Sequence, residues 1–427
     1  MSDWVVRGGA VLSGTVSVQG SKNAALPILA ATLLAEEPIR LLNCPVIRDA
    51  ENMLKILRSL GCTVRREGDD LIVDSRTASN FVLPTALSGE LRSSIFLLGS
   101  VLSRFSEADA PYPGGCEIGN RPIDLHLEGL RRLNAVIEER GGRIRCRGGR
   151  LRGAVVDLDY PSVGATENIM LAACRAEDRT TIRNAACEPE IVDLQNFLRA
   201  CGFRVHGAGT PTVVIDGVEQ GHGATYRVMP DRIAAGTYMI GAAITGGDVT
   251  VTGMQPDAVD TLLYKLSACG CEVTKTADSV RVRARGRARG VAFTETRPYP
   301  GFPTDLQPQL FSLLSVADGN SVLVENVFEN RFRHAQELKR MGAKNRILDR
   351  TAIITGVERL HGAEVIAHDL RGGAALVLAG LSAEGETVIR HAERIERGYE
   401  RMDSVIGRLG GSVIRKEDGI DQEEKTQ

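Results

Sequence analysis

The sequence predicts an α/β fold: a two-domain inside-out α/β barrel built from six repeated units of about 70 residues. Three observations predict it. The first is a helix that ends in glycine and leads into a short strand. It appears as MLKILRSLGCTV around Gly61, LQNFLRACGFRV around Gly202, LLYKLSACGCEV around Gly270, AQELKRMGAKNRI around Gly342 and MDSVIGRLGGSVI around Gly410. A sixth copy, LEGLRRLNAVI, carries Asn134 at the glycine position; both residue types tolerate the left-handed conformation that closes a helix. The second is an interleaved set of apolar helices rich in small residues, each entered through a polar turn. They begin at Ser21, Leu91, Val163, Pro230, Pro303 and Asp369, and strands such as TTIRN, DVTVTG and SVLVEN follow them. The third is length: 427 residues exceed one compact core.

Taken in chain order, WVVRGGAVLSGTVSVQG is strand-like and precedes the first apolar helix. The last unit stops one strand short, after GGSVIRKE, so the N-terminal segment is expected to complete it. Residues 22–229 then form one three-unit domain, residues 1–21 plus 230–417 the other, and 418–427 a polar tail. Crossings near Gly20–Lys22 and Met229–Pro230 would form the hinge. The apolar helices read as hydrophobic nearly all round and belong inside. The second helix of each unit, such as AENMLKILRSL, is amphipathic and faces solvent on one side. Helices inside and sheets outside is the reverse of a TIM barrel.

The N-termini of the interior helices carry Lys22, Arg92, Glu167, Asp231 with Arg232, Asp305 and Arg371. Helix N-termini attract anions, so two such faces closing on each other suit a phosphorylated ligand. Ordinary caps and first-turn charges would also explain these residues, though less well for Lys22 and Arg371, which are cations where the dipole prefers anions.

Several functions are excluded. There is no GxxxxGK[ST], no GxGxxG after a strand, no HExxH and no GxSxG. Aromatic residues are 4% of the chain, too few for base-stacking platforms, and a net charge of −2 gives no basic field for nucleic acid. The one basic run, RVRARGRARG, reads as a solvated strand and loop. No apolar run is long enough to span a membrane, and MSDWVVRGG lacks the regions of a signal peptide. Nine cysteines without a CxxC argue against a disulfide framework or a zinc site, and place reduced thiols in the cytoplasm.

Cys116 lies in PYPGGCEIGNRPIDLH, between glycines and a glutamate. Spacing alone leaves it open as a small buried hydrophobe, a metal ligand or a group that touches substrate, and favours the first.

The stretches GSKNAALP, PGGCEIGNRPIDLH, SVGATENIM, EPEIVDL, PDRIAAGTY, PYPGFPTDLQPQ, ENRFRHAQELKRMGA, DLRGGAALVLAGL and RGYE occur in this order. On them, and over residues 3–417, the chain resembles the enolpyruvyltransferases, in the branch whose acceptor is a nucleotide sugar. The sister enzymes acting on shikimate 3-phosphate differ in the first-helix motif and lack the PGGC loop. RNA 3′-phosphate cyclases are related in fold but use a nucleotidylated histidine, for which this sequence has no motif.

The resemblance implies transfer of the enolpyruvyl group of phosphoenolpyruvate to the 3′-hydroxyl of UDP-N-acetylglucosamine with release of phosphate, by addition and elimination. This is the first committed step of peptidoglycan synthesis. It implies Cys116, Asp305, Lys22 and Arg397 as catalytic. Cys116 would be proton donor to the methylene and the target of fosfomycin, and Asp305 the base at the hydroxyl. Lys22, Asn23, Arg121, Arg371 and Arg397 would bind phosphoenolpyruvate, since arginine suits bidentate recognition of phosphate and carboxylate. Arg92, Arg121, Pro122, Ile123, Asp124, Leu125, Ser162, Val163, Gly164, Asp305 and Val327 would bind the nucleotide sugar. Asp369 matches a carboxylate near the thiol and reads equally well as a helix N-cap. No metal or organic cofactor is implied, and the implied partners are the two small substrates, with neither nucleic acid nor membrane insertion.

The sequence departs from the family pattern at Ala234, Gly373, Asn134, Cys187 and the pair Ile395–Glu396. These leave room for a paralogue with another nucleotide-sugar acceptor. A silent nucleotide-sugar binding protein is the alternative from a different class, and the presence of Lys22, Cys116, Asp305, Arg371 and Arg397 speaks against it.

Overall fold

The computed structural model describes residues 2–114, 118 and 123–417. Cys116, Arg121, Pro122 and the tail lie outside the described residues.

Strand segments alternate buried and exposed positions, as in Asp248–Thr252, where Val249 and Val251 are buried and their neighbours are not. Among the described residues they assemble into five four-stranded sheets and one of three strands. Each four-stranded sheet repeats one pattern, a parallel pair at one edge followed by antiparallel neighbours. Thr225–Arg227 runs parallel to Ile39–Leu42, which pairs antiparallel with Asp70–Asp74, and that strand with Thr63–Glu67. In the three-stranded sheet, an isolated parallel bridge between Val82 and Asp109 stands where the edge strand would be. The Ser2–Arg7 strand sits between Glu386–Arg390 and Ser412–Glu417, with Trp4 opposite both Ile389 and Arg415. Ser13–Ser17 adds in parallel to Asp248–Thr252. The first and last described strands therefore share one sheet.

The small-residue helices are enclosed. Every residue from Arg232 to Ile244 in the Arg232–Thr245 helix is buried, as is Arg371 to Leu381 in the Leu370–Ser382 helix. Small side chains let these helices pack backbone to backbone. A Cβ on Gly99 would stand 2.4 Å from the carbonyl oxygen of Asn168, while Gly99 N donates to Asn168 Oδ1 at 2.8 Å. Gly99→Ala must push the Phe96–Phe105 and Val163–Ala173 helices apart. It is expected to cost about 1–3 kcal/mol, read as a lower urea midpoint.

Asn134 takes the left-handed conformation, φ 69°, as Gly61 does at φ 99°. Buried apolar side chains form two separate cores. One gathers residues between Ala24 and Met229, the other Trp4 to Val18 together with Ile233 to Leu409.

Candidate active site

The facing N-termini of the buried helices enclose a cavity of about 430 Å³ lined from both cores. Lys22 opens the Lys22–Ala31 helix, which Ser21 caps by accepting from Ala24 N. The backbone N–H of Lys22 donates to Asp231 Oδ2 at 3.0 Å, and Asp231 itself caps the Arg232–Thr245 helix. One carboxylate thus joins two helix starts from opposite halves.

Asp305 lies on a single 3₁₀ turn, Thr304–Leu306, rather than in the helix proper. Pro308 holds the start of the following Gln307–Val316 helix, and proline is favoured at a first turn because its missing N–H would be an orphan there. Arg92 likewise sits on a 3₁₀ turn, Arg92–Ile95, and Glu167 lies one turn inside the Val163–Ala173 helix. Asp305 Oδ2 accepts from Arg371 Nη2 at 3.0 Å and from Asn23 Nδ2 at 3.3 Å, and its Oδ1 accepts from Arg331 Nη2 at 3.1 Å. Burial opposes ionisation of this carboxyl, but Arg371, Arg331 and Lys22 outweigh it and hold it well below the usual carboxylate range.

Both arginines are buried, Arg331 at 1% and Arg371 at 2% exposure. Arg371 lies over the ring of Tyr399, whose hydroxyl is fixed by Thr237 and Gln309. Asp369 accepts from the backbone of Arg371 and Gly372 as the cap of its helix, and stands 3.6 Å from Arg331 Nη1. The cap reading of Asp369 is realised, while the thiol to which it was matched lies outside the described residues. Arg371 Nε and Nη1, Arg331 Nε and Asp369 Oδ2 have no hydrogen-bond partner among the described residues. Buried guanidinium donors without partners in a cleft are what an anion with planar oxygens would satisfy.

A second carboxylate gathers the other cations. Asp49 Oδ1 accepts from Arg397 Nε at 2.9 Å, while Lys22 Nζ and Arg397 Nη2 each stand 3.2 Å from Oδ2. One wall of the cavity carries Glu167, Glu188 and Glu190. Glu190 pairs with Arg232 at 2.9 Å, and Glu188 accepts from Tyr299 N at 3.2 Å. Burial, with Glu190 and Glu188 nearby, pushes Glu167 well above the usual carboxylate range and favours its neutral form.

Of the residues expected to bind the nucleotide sugar, Arg92, Asp124, Leu125, Ser162, Val163, Gly164, Asp305 and Val327 line the cavity. Arg92 Nη1 donates to Pro113 O at 3.2 Å. Ser162 caps the helix that Val163 and Gly164 begin, and His126 packs so close to Gly164 that a Cβ there would meet its ring at 3.0 Å. Ile123 is the residue just before the Asp124–Arg132 helix and is buried outside the lining. Cys116, Arg121 and Pro122 fall outside the described residues. Lys22, Asn23, Arg371 and Arg397 line the same cavity. Asp49, Arg331, Glu188 and Glu190 were not singled out from sequence. Arg331 and the two glutamates lie inside the quoted stretches ENRFRHAQELKRMGA and EPEIVDL, but nothing there says which charge turns inward.

Residues 6–406 match the sequence model of the family described as EPSP synthase (3-phosphoshikimate 1-carboxyvinyltransferase). The chain is 49% identical over 415 residues, 97% of its length and 100% of the relative's, to "UDP-N-acetylglucosamine 1-carboxyvinyltransferase 2" of Caldanaerobacter subterraneus subsp. tengcongensis. It is 46% identical, over 97% of its length and 100% of the relative's, to the UDP-N-acetylglucosamine 1-carboxyvinyltransferase of Nitratidesulfovibrio vulgaris. Among solved structures, the enolpyruvyl transferase NikO from Streptomyces tendae superposes with a TM-score of 0.88 at 26% identity, covering 97% of this chain and 98% of that one. EPSP synthase from Acinetobacter baumannii shares the fold, with a TM-score of 0.75 at 21% identity over 98% of this chain and 100% of that one.

Proposed function

The chain belongs to the enolpyruvyltransferase family, and we propose that it transfers the enolpyruvyl group of phosphoenolpyruvate to the 3′-hydroxyl of UDP-N-acetylglucosamine with release of phosphate. The observation that carries the chemistry is Asp305, a carboxylate bound by Asn23 from one half and by Arg331 and Arg371 from the other.

In this reading the donor's phosphate and carboxylate engage Lys22, Arg371 and Arg397, with Arg121 completing the set. Cys116 delivers a proton to the methylene carbon, leaving positive charge on the neighbouring carbon. Asp305 takes the proton of the acceptor hydroxyl as its oxygen attacks that carbon. A proton then leaves the new methyl group as phosphate departs, which restores the double bond. Arginines and lysine supply the positive charge that stabilises the donor's anions, so no step requires a metal or organic cofactor. Ser162 to Gly164 and the start of the Asp124–Arg132 helix offer backbone N–H groups to the acceptor's diphosphate.

The two cores support a division into domains 22–229 and 1–21 plus 230–417, and the repeated sheet pattern around enclosed helices supports the inside-out barrel of six units. Among the described residues no helix is long and apolar enough to cross a membrane. The setting proposed is the cytoplasm, at the first committed step of peptidoglycan synthesis.

Incubation with both substrates in D₂O, followed by mass spectrometry of the nucleotide sugar, tests the reading. It expects a sugar heavier by the enolpyruvyl group, with deuterium in its methylene. An unchanged sugar, or product formed only from a different nucleotide sugar, would overturn it.

A further inference from the structure

Asp49 is the second residue of the Arg48–Ser59 helix, a position where an acidic side chain ordinarily points into solvent and answers the helix dipole. Glu51 in the same turn does this, pairing with Arg66 at the surface. Asp49 does not. Its side chain is 2% exposed and turned into the cleft. Both its oxygens are occupied by cations from different halves of the molecule: Lys22 at 3.2 Å from its own half, and Arg397 in a bidentate pair at 2.9 and 3.2 Å from the other. The segment that carries Arg397 is pinned at the same corner by Gln19 Nε2 donating to Gly398 O at 2.9 Å and Val46 N donating to Glu400 Oε2 at 3.0 Å.

We propose that Asp49 is a positioning residue for the donor's phosphate: it draws Lys22 and Arg397 together across the cleft, so that this cation pair is assembled only when the two halves meet. The inference rests on the enolpyruvyl-transfer reading above and names a residue that reading does not use. Two cations a few ångströms apart in a buried corner repel each other unless an anion lies between them. Asp49 is that anion before the donor arrives. With the pair already oriented, a phosphate meets two fixed charges instead of ordering two long side chains itself. Asp49 touches the reacting atoms only through these cations, so its removal should weaken the donor and spare the acceptor, whose expected contacts lie along Arg92, Asp124 and Ser162 to Gly164.

Steady-state kinetics of Asp49→Asn test this. The KM for phosphoenolpyruvate is expected to rise at least about 10-fold, and that for UDP-N-acetylglucosamine to stay within about 2-fold. In an Arg397→Ala background the same substitution is expected to change kcat/KM for the donor by less than about 3-fold, because the two residues act as one unit. An unchanged donor KM, a parallel rise in both KM values, or additive effects in the double variant would each overturn the proposal. Asp49→Glu keeps the charge and displaces it by one methylene; if the asparagine variant does not fold, a normal donor KM in the glutamate variant overturns the proposal and a raised one supports it. Should the wild-type protein show no turnover, the activity reading fails, and calorimetric titration with phosphoenolpyruvate still decides Asp49. Weakening by the same factor in the variant supports it, and equal affinity refutes it.

Discussion

Asp305→Asn is expected to reduce phosphate release from phosphoenolpyruvate by about 10³-fold, a magnitude typical of a lost general base. The substitution is nearly isosteric. It keeps an oxygen toward Arg371 or Arg331 but removes the charge that pairs with both and the basicity that accepts the hydroxyl proton. In the free protein the carboxylate is held so far below its usual range that it is a weak base. In the proposed reaction the donor's anionic groups engage Arg371 and Lys22, compete for their charge and raise the basicity of Asp305 as the acceptor hydroxyl arrives. Because the folded-state value is depressed, Asp305 contributes stability above the unfolded carboxylate value of about 4, and loses it only as pH falls below that. An acidic limb of kcat/KM between about pH 5 and 8, which reports the free enzyme, must therefore come from another group. Rapid-quench turnover of both proteins checks the rate, and a variant that retains a tenth or more of wild-type activity would remove Asp305 from the chemistry.

The largest effect on stability is expected from Arg331→Met. Arg331 is buried, bonds Asp305 at 3.1 Å, approaches Asp369 at 3.6 Å and lies over the ring of Phe328. Its removal leaves Asp305 paired with the Arg371 guanidinium, and Asp369 with the backbone N–H groups of Arg371 and Gly372. Breaking a buried pair from one side costs about 3–5 kcal/mol. The lower end applies here, about 3 kcal/mol, because Asp369 keeps its backbone donors and Asp305 keeps Arg371 and Asn23. Urea unfolding reads this directly. An unshifted midpoint would mean that Arg331 does not neutralise these carboxylates in the folded protein.

How far the site could be read from the chain depends on what each residue's neighbours are. The repeated helix starts are periodic features, so the expectation that Lys22, Asp305 and Arg371 meet followed from the repeat, and all three line one cavity. Asp49 carries no such signal. In RDAENML it is one of two acids in the first turn of an amphipathic helix, and only the fold turns it inward while Glu51 stays outside. Arg331 and Arg333 stand two apart in ENRFRH, and nothing local says that the first is enclosed and the second half-buried. The edge strand beside Glu107–Pro111 is reduced to a bridge at Val82, a detail set by tertiary pairing and not by the residues themselves. Cys187, where the family pattern has arginine, is only partly buried, with its sulfur 3.6 Å from Ala185 O.

Phosphate release from phosphoenolpyruvate, followed continuously with and without UDP-N-acetylglucosamine, bears most directly on whether this cleft performs the transfer. Release that requires the nucleotide sugar and stops when it is consumed is the result expected. Release at the same rate without the sugar, or none in its presence although it binds, would contradict the transfer chemistry assigned to Asp305 and the cations around it.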